Sequence, residues 1–133
     1  MNELTTEWIA KAEGDYATAG RELGVQDYPN YDAVCFHAQQ TAEKYLKAFL
    51  QENGVAFPKT HSLIELLELC LPLDNKLETL RPDLIRLGRY AVQYRYPGMI
   101  AYKSEAKTAY ETVTAVRTVL RARLESEDSS QTQ

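Results

Sequence analysis

The sequence predicts an all-α protein, folded as an up-down bundle of four main helices and a short fifth helix. Apolar residues recur at steps of three and four along most of the chain, which is the period of a helix buried on one side. Seven of the eleven glycines and prolines lie between these segments. No segment of useful length alternates apolar and polar residues as a strand does. The predicted helices cover residues 3–23, 31–53, 62–71, 79–94 and 103–125.

The first two predicted helices have the clearest patterns. An apolar stripe runs from Trp8 to Leu23, and Gly24 ends the first helix. The second helix has one apolar arc of about 120°, with polar residues on the opposite side. Phe36 and Leu50 fall on the polar side, which indicates a second buried contact for this helix.

Local signals also mark the remaining elements. Ser62 and Glu65 match a capping box, which predicts the start of the short helix, and Pro72 ends it. Leucines at heptad-like spacing predict the fourth helix, and Pro82 is tolerated in its first turn. The fifth helix is predicted to end at Glu125, because the residues that follow are polar and aperiodic. We therefore expect one domain over residues 1–125 and a disordered tail over 126–133.

Composition excludes several classes of protein. The net charge of −4 provides no overall basic field, so any contact with nucleic acid requires a local patch. No secretory signal and no apolar run long enough for a bilayer is present. Cys35 and Cys70 lie in apolar helical patterns, which predicts buried free thiols in a reducing compartment. We expect a cytoplasmic protein without a membrane segment, metal site or cofactor.

The polar face of the second helix is the first candidate for anion binding. His37, Gln40, Lys44 and Lys47 fall within about 80° of one another on an ideal helix. Two ammonium groups, an amide and an imidazole could together hold a phosphate. The alternative is a solvated face with an ion pair between Glu43 and Lys47.

The fourth helix supplies the second candidate. Four arginines and one acid lie between Arg81 and Arg95. One face of this predicted helix forms an arginine ridge made of Arg86, Arg89, Gln93 and Tyr96. Guanidinium groups bind phosphate through paired hydrogen bonds, and nearby tyrosines offer stacking surfaces for bases. The alternative is a solvated face, or pairing with acids of the first or last helix. His61, just before the short helix, is either structural or an anion contact at that helix N-terminus.

Three ordered segments resemble the HEPN family. Residues 31–50 contain Gln-Gln-x-Ala-Glu-Lys before an apolar finish, residues 58–63 read Pro-Lys-Thr-His-Ser-Leu, and residues 89–98 read Arg-Tyr-Ala-Val-Gln-Tyr-Arg-Tyr-Pro-Gly. The resemblance covers about residues 5 to 122. It implies a helical bundle that commonly dimerises through the region of these motifs. Many members are ribonucleases that act as toxins beside a minimal nucleotidyltransferase, and others are described as nucleotide-binding or as partners of that transferase.

The chain departs from the nuclease members at one position. Those members carry an arginine followed four to six residues later by a histidine, whereas Arg89 is followed at those distances by Gln93, Tyr94 and Arg95. RNA cleavage without a metal needs a group that accepts and donates a proton near neutral pH, and histidine is the natural choice. No histidine follows His61 in the sequence.

These observations predict a HEPN module that binds a nucleotide or RNA and pairs with a minimal nucleotidyltransferase, in a toxin–antitoxin type of system. The alternatives are a metal-independent endoribonuclease that combines Arg89 with His37 or His61, and a structural dimerisation module. A homodimer is expected, because Phe36, Leu50 and the tyrosine-rich end of the fourth helix place apolar groups beside the core. The predicted ligand-binding residues are Gln40, Lys44, Lys47, Arg89, Tyr94 and Arg95.

Overall fold

The first two helices begin at asparagine caps. In the computed structural model, which describes the backbone of residues 1–131 and the side chains of residues 1–126, α1 spans Glu3–Leu23 and α2 spans Tyr31–Glu52. The Asn2 side chain accepts a hydrogen bond from the Thr5 amide at 2.8 Å, and the Asn30 side chain accepts one from the Ala33 amide at 3.0 Å. These bonds satisfy donors that have no partner within the helix, so both helices begin close to where the sequence predicts.

Three further helices complete the bundle, with a 3-10 segment on each side of α4. No strand occurs among residues 1–131, and the predicted all-α bundle is confirmed. No helix in this part of the chain has the length and apolar character needed to cross a membrane. The elements are α3 Leu63–Cys70, the 3-10 segment Asn75–Leu80, α4 Arg81–Gly88, the 3-10 turn Arg89–Ala91 and α5 Lys103–Gln131.

Helices α1 and α2 run antiparallel. Glu13 of α1 contacts Tyr45 of α2, whereas Glu22, further along α1, contacts Asn30 at the start of α2. Partner numbers fall along α2 as they rise along α1, which is the signature of an antiparallel pair. The same carboxylate joins a third helix, because Arg117 of α5 donates to Glu13 at 2.5 and 2.7 Å.

Helix α2 is the central helix and packs against α1, α3, α4 and α5. Leu50 is fully buried, so the predicted second buried contact is confirmed there, while Phe36 is half-buried. On the opposite, polar side, the ion pair expected between Glu43 and Lys47 forms at 3.0 Å, but the pair is not solvated. Glu43 and Lys47 are buried on that side, because α1 and the loop after α2 cover it.

The predicted fourth helix is shorter and less regular than expected. Only Arg81–Gly88 is α-helical, and the chain leaves helical geometry after Ala91, before the predicted end at Tyr94. Gly88, which costs about 1 kcal/mol relative to alanine inside a helix, lies where the α-helix ends. The single ridge predicted for Arg89 and the residues after it therefore does not form.

Helix α5 is longer than predicted. It continues past Glu125 to Gln131, because no glycine or proline interrupts the chain after Lys103. The helix therefore covers most of the segment predicted as a disordered tail, and residues 132 and 133 lie outside the described residues.

The two cysteines, Cys35 and Cys70, are buried free thiols as predicted, and burial raises the pKa of each to about 12.

Candidate functional site

The two lysines predicted to bind phosphate on α2 are each held by a carboxylate. Lys44 Nζ lies 2.5 Å from Asp15 Oδ2, and Lys47 Nζ lies 3.0 Å from Glu43 Oε2. Lys47 also lies 5.4 Å from the ring centre of Trp8 and is only 6% exposed. Each ammonium group therefore already has a carboxylate partner, and phosphate binding by Lys44 and Lys47 stays a prediction.

His37 and Gln40, from the same predicted face, also have protein partners. His37 Nδ1 lies 2.8 Å from Asp15 Oδ1, and Gln40 donates to the Gln39 side chain at 2.8 Å. Asp15 thus binds one histidine and one lysine of α2. The polar face of α2 therefore mainly joins α2 to α1 and to the loop that follows α2.

The arginines of the second predicted ridge divide into two groups. Arg81 is held by two glutamate carboxylates, each at 2.5 Å, and so is neutralised. Arg86, Arg89 and Arg95 are exposed, and within the described part of the chain none of them forms an ion pair. The free positive charge of the molecule in this region therefore comes from these three guanidinium groups.

A surface cavity of about 410 Å³ lies between the start of α3 and the end of α4. Arg89 and His61, which are far apart in sequence, both line it. A side chain added at Gly88 would meet no atom within 4 Å, so the wall of the cavity is open there. We call it the arginine–histidine cavity; its lining includes His61, Ser62, Leu84, Ile85, Gly88 and Arg89.

The orientation of His61 is set by α2. Its Nδ1 lies 3.0 Å from Oε1 of Glu43, and its backbone oxygen accepts a hydrogen bond from Gln39 at 3.3 Å. When the Glu43 carboxylate accepts this hydrogen bond, Nδ1 is the donor and Nε2 is the ring nitrogen left for a ligand. The Glu43 side chain is 3% exposed and that of His61 is 76% exposed, so a buried acid orients a histidine that faces solvent.

A second cavity, of about 320 Å³, lies between the start of α2 and the chain that follows α4. Tyr90 and Tyr94 line it with nearly parallel rings, whose centres are 6.0 Å apart and whose planes differ by 20°. We call it the tyrosine cavity; its lining includes Asn30, Asp32, Phe36, Tyr90, Tyr94 and Arg95.

The two phenols of this cavity are neutral at physiological pH. Burial raises the pKa of Tyr90. Burial, together with the hydrogen bond that its hydroxyl donates to Glu105, raises the pKa of Tyr94 further. Tyr94 also accepts a hydrogen bond from Gln93 at 3.2 Å. At the position where nuclease members can carry histidine, this chain therefore has a protonated phenol that is already bound to an acid of α5.

Comparison with known proteins identifies the family. The model of the HEPN domain matches residues 5–123. The chain belongs to the HEPN family. Two solved structures share the HEPN fold: TT1696 from Thermus thermophilus, with a TM-score of 0.72 at 24% identity, and ST0689, an archaeal HEPN homologue, with a TM-score of 0.68 at 23% identity. Each comparison covers 92% of this chain and 98% of the other. No protein of curated function matches.

Sequence reasoning named some residues of the candidate site and missed others. It named Arg89 and His61 but had no means to show that they line one cavity. Sequence reasoning did not identify Glu43 as the residue that orients His61. The only role that it predicted for Glu43 was an ion pair with Lys47, four residues further along the helix. Among the described residues, no group of three or more histidine, cysteine or acidic side chains could hold a metal ion.

Proposed function

We propose that this HEPN domain binds phosphate groups of a nucleotide or of RNA in the arginine–histidine cavity. The observation that carries the proposal is the meeting of Arg89 and His61 at one cavity, with no ion pair on Arg89 in the described part of the chain. A guanidinium group donates two parallel hydrogen bonds to a phosphate. The first turn of α3 supports the same ligand, because the first N–H groups of a helix lack partners within it and favour an anion.

The binding test uses a labelled short oligoribonucleotide in fluorescence anisotropy, and ATP and AMP in calorimetry. Arg89→Ala should weaken binding roughly tenfold or more, since a hydrogen bond between charged groups contributes about 1.5–3 kcal/mol. It should also reduce the slope of log K against log salt concentration by about 0.7, because one phosphate contact is lost. Arg21→Ala, at the exposed end of α1, is the matched control and should bind as the wild type does.

A second variant tests the cavity without changing charge. Gly88→Leu places a side chain into open space at the cavity wall, so it should weaken binding without unfolding the protein. If both Arg89→Ala and Gly88→Leu bind normally, the ligand lies elsewhere. If the wild type binds neither nucleotide nor RNA, the proposal is wrong.

The geometry of His61 favours a second candidate, a metal-independent endoribonuclease. With Nδ1 held by Glu43, Nε2 can take the proton of a ribose 2′-hydroxyl. The 2′-oxygen then attacks the adjacent phosphorus, and the 5′-oxygen leaves with the proton that His61 has taken up. Arg89 stabilises the negative charge that develops on the phosphate oxygens. The products are a 2′,3′-cyclic phosphate and a 5′-hydroxyl end.

The cleavage test compares two histidines. Purified protein is incubated with RNA, and the ends of any fragments are identified by mass spectrometry. His61→Ala and Arg89→Ala should abolish cleavage, whereas His37→Ala should retain it, because His37 contacts Asp15 and is not part of the arginine–histidine cavity. Loss of cleavage in His37→Ala would contradict the role of His61. Absence of cleavage in the wild type rejects the enzyme and leaves the binding proposal standing.

We also propose a homodimer and a minimal nucleotidyltransferase as partner, in a cytoplasmic toxin–antitoxin type of system. The buried free thiols support the reducing location. Exposed apolar side chains between α4 and α5 support an interface, since such patches are typical of contact surfaces. A stable monomer at micromolar concentration in analytical ultracentrifugation would contradict the dimer, and failure to co-purify with a nucleotidyltransferase encoded beside it would contradict the partner. The exposed side chains are Val92, Tyr96, Met99, Ile100 and Tyr102.

A further inference from the structure

We propose that the tyrosine cavity is a nucleobase site that favours bases carrying an exocyclic amino group: adenine, cytosine and guanine. This inference rests on the proposed function, because the base belongs to a ligand whose phosphate lies against Arg89. The arginine–histidine cavity contains no aromatic residue apart from His61 itself, so phosphate binding there leaves the base of the ligand without a platform to stack on. The tyrosine cavity supplies that surface.

The aromatic lining of the tyrosine cavity suits a flat heterocycle. Phe36, Tyr90 and Tyr94 reach it from two different parts of the chain, and all three side chains are half-buried. The two tyrosine rings stack on each other, and stacking on an aromatic face accepts any base because every base has a π-face. Arg95 at the cavity edge adds a cation for a neighbouring phosphate or for stacking on the base.

The selectivity comes from Asp32. Its Oδ1 accepts a hydrogen bond from the Ala101 amide at 2.7 Å, which fixes the carboxylate at the cavity. Its Oδ2 has no hydrogen-bond partner among the residues that the structure describes. A carboxylate oxygen only accepts, so it pairs with the exocyclic amino group of adenine, cytosine or guanine. Uracil offers only its ring N3–H, which lies between two carbonyl oxygens that repel a carboxylate.

The two cavities are joined by the 3-10 turn Arg89–Ala91. Arg89 lines the first cavity and Tyr90, the next residue, lines the second. A 3-10 helix has three residues per turn, so adjacent side chains point about 120° apart. A ligand that fills both cavities must pass over the turn. A strand of RNA, which repeats phosphate and base along its length, is the occupant that we infer.

The stacking test uses leucine variants that keep apolar volume and remove the aromatic face. Phe36→Leu and Tyr90→Leu should lower the affinity for a short oligoadenylate roughly five- to a hundredfold, and leave the affinity for an abasic ribose-phosphate oligomer unchanged. Tyr90→Phe and Phe36→Tyr are the matched controls and should bind oligoadenylate as the wild type does. Thermal unfolding of each variant establishes that it is folded. Normal oligoadenylate affinity in both leucine variants would overturn the base site.

The selectivity test uses Asp32→Asn. Because Oδ1 remains to accept from the Ala101 amide, the amide nitrogen takes the place of Oδ2 and turns an acceptor into a donor. The wild type should prefer oligoadenylate and oligocytidylate over oligouridylate, and the variant should lose or reverse this preference. An unchanged ratio would refute the role of Asp32.

Two comparisons separate this inference from the proposed function. Arg89→Ala should lower the affinity for the abasic oligomer as well as for oligoadenylate, because both carry phosphate. If it lowers neither affinity, the proposed phosphate site itself is wrong. AMP should bind much more weakly than oligoadenylate, since it cannot fill both cavities. Equal affinity for AMP and oligoadenylate would show that the ligand is a free nucleotide and would contradict an RNA strand.

Discussion

Removal of the Glu43 carboxylate should destabilise the protein far more than loss of an ion pair on a helix surface. Glu43 is 2% exposed and its partner Lys47 is 6% exposed, with the two charged atoms 3.0 Å apart. Glu43→Ala leaves the ammonium group of Lys47 buried without a carboxylate. Breaking a buried pair in this way costs about 3–5 kcal/mol. An exposed pair at the same spacing of four contributes only about 0.3–0.5 kcal/mol.

Urea denaturation followed by far-UV circular dichroism at neutral pH measures the difference. Glu125→Ala is the matched control, because Glu125 also pairs with a basic residue four positions away, at 3.8 Å, but is 69% exposed. We expect the control to change the free energy of unfolding by less than about 0.5 kcal/mol. Replacing both Glu43 and Lys47 with leucine should cost less than Glu43→Ala alone, because no unpaired charge remains.

One result would refute this reasoning. If the free energy of unfolding of Glu43→Ala lies within about 0.5 kcal/mol of the wild-type value, the ammonium group of Lys47 reaches solvent once its partner is gone. Lys47 would then be available to a ligand, as the sequence predicts.

Three further predictions concern other parts of the fold. Hydrogen bonds from Arg117 are the main cause that holds the pKa of Glu13 below its usual value. This carboxylate therefore stabilises the fold fully above about pH 4.3, and its contribution is lost as the pH falls through the pKa of Glu13 in the folded protein. In acid titrations followed by circular dichroism, Glu13→Gln should be less stable than the wild type at neutral pH and should lose less stability on acidification. Cys35 and Cys70, with thiol pKa values raised to about 12, should react with a thiol reagent at mildly alkaline pH only after denaturation, and rapid reaction in the native protein would contradict their burial. Gly14→Ala should raise the free energy of unfolding by about 0.5–1 kcal/mol, because a Cβ added at this position of α1 meets no atom within 4 Å. A lower unfolding temperature than that of the wild type would contradict this open environment.

Helix boundaries could be predicted where a local signal exists. Gly24 ends α1 and Ser62 begins α3 because both effects act within a few residues of the chain. The length of α4 could not be predicted in this way. Its apolar spacing continues after Leu87 through Ala91 to Tyr94. The Tyr94 hydroxyl, however, binds Glu105 of α5, a contact that no local pattern reveals.

In the candidate site, too, the sequence predicted the types of residue, whereas contacts between distant segments decided how these residues are paired. Sequence pattern and family resemblance identified Arg89, His61 and the lysines as candidates for anion binding, but the type of a residue does not say which carboxylate lies beside it. Lys44 meets Asp15 only because α1 and α2 are antiparallel. His61 meets Glu43 only because the loop after α2 folds back on that helix.

The sequence by itself determined the helical class, most helix boundaries, the buried thiols and the family, because each depends on periodicity, local capping or an ordered motif within one segment. Tertiary structure alone decided which positive charges are neutralised and which remain free, since ion pairing depends on distances between segments that are remote in the chain. It also decided that Arg89 shares a cavity with a histidine from another loop, where the phosphate of the proposed ligand is placed.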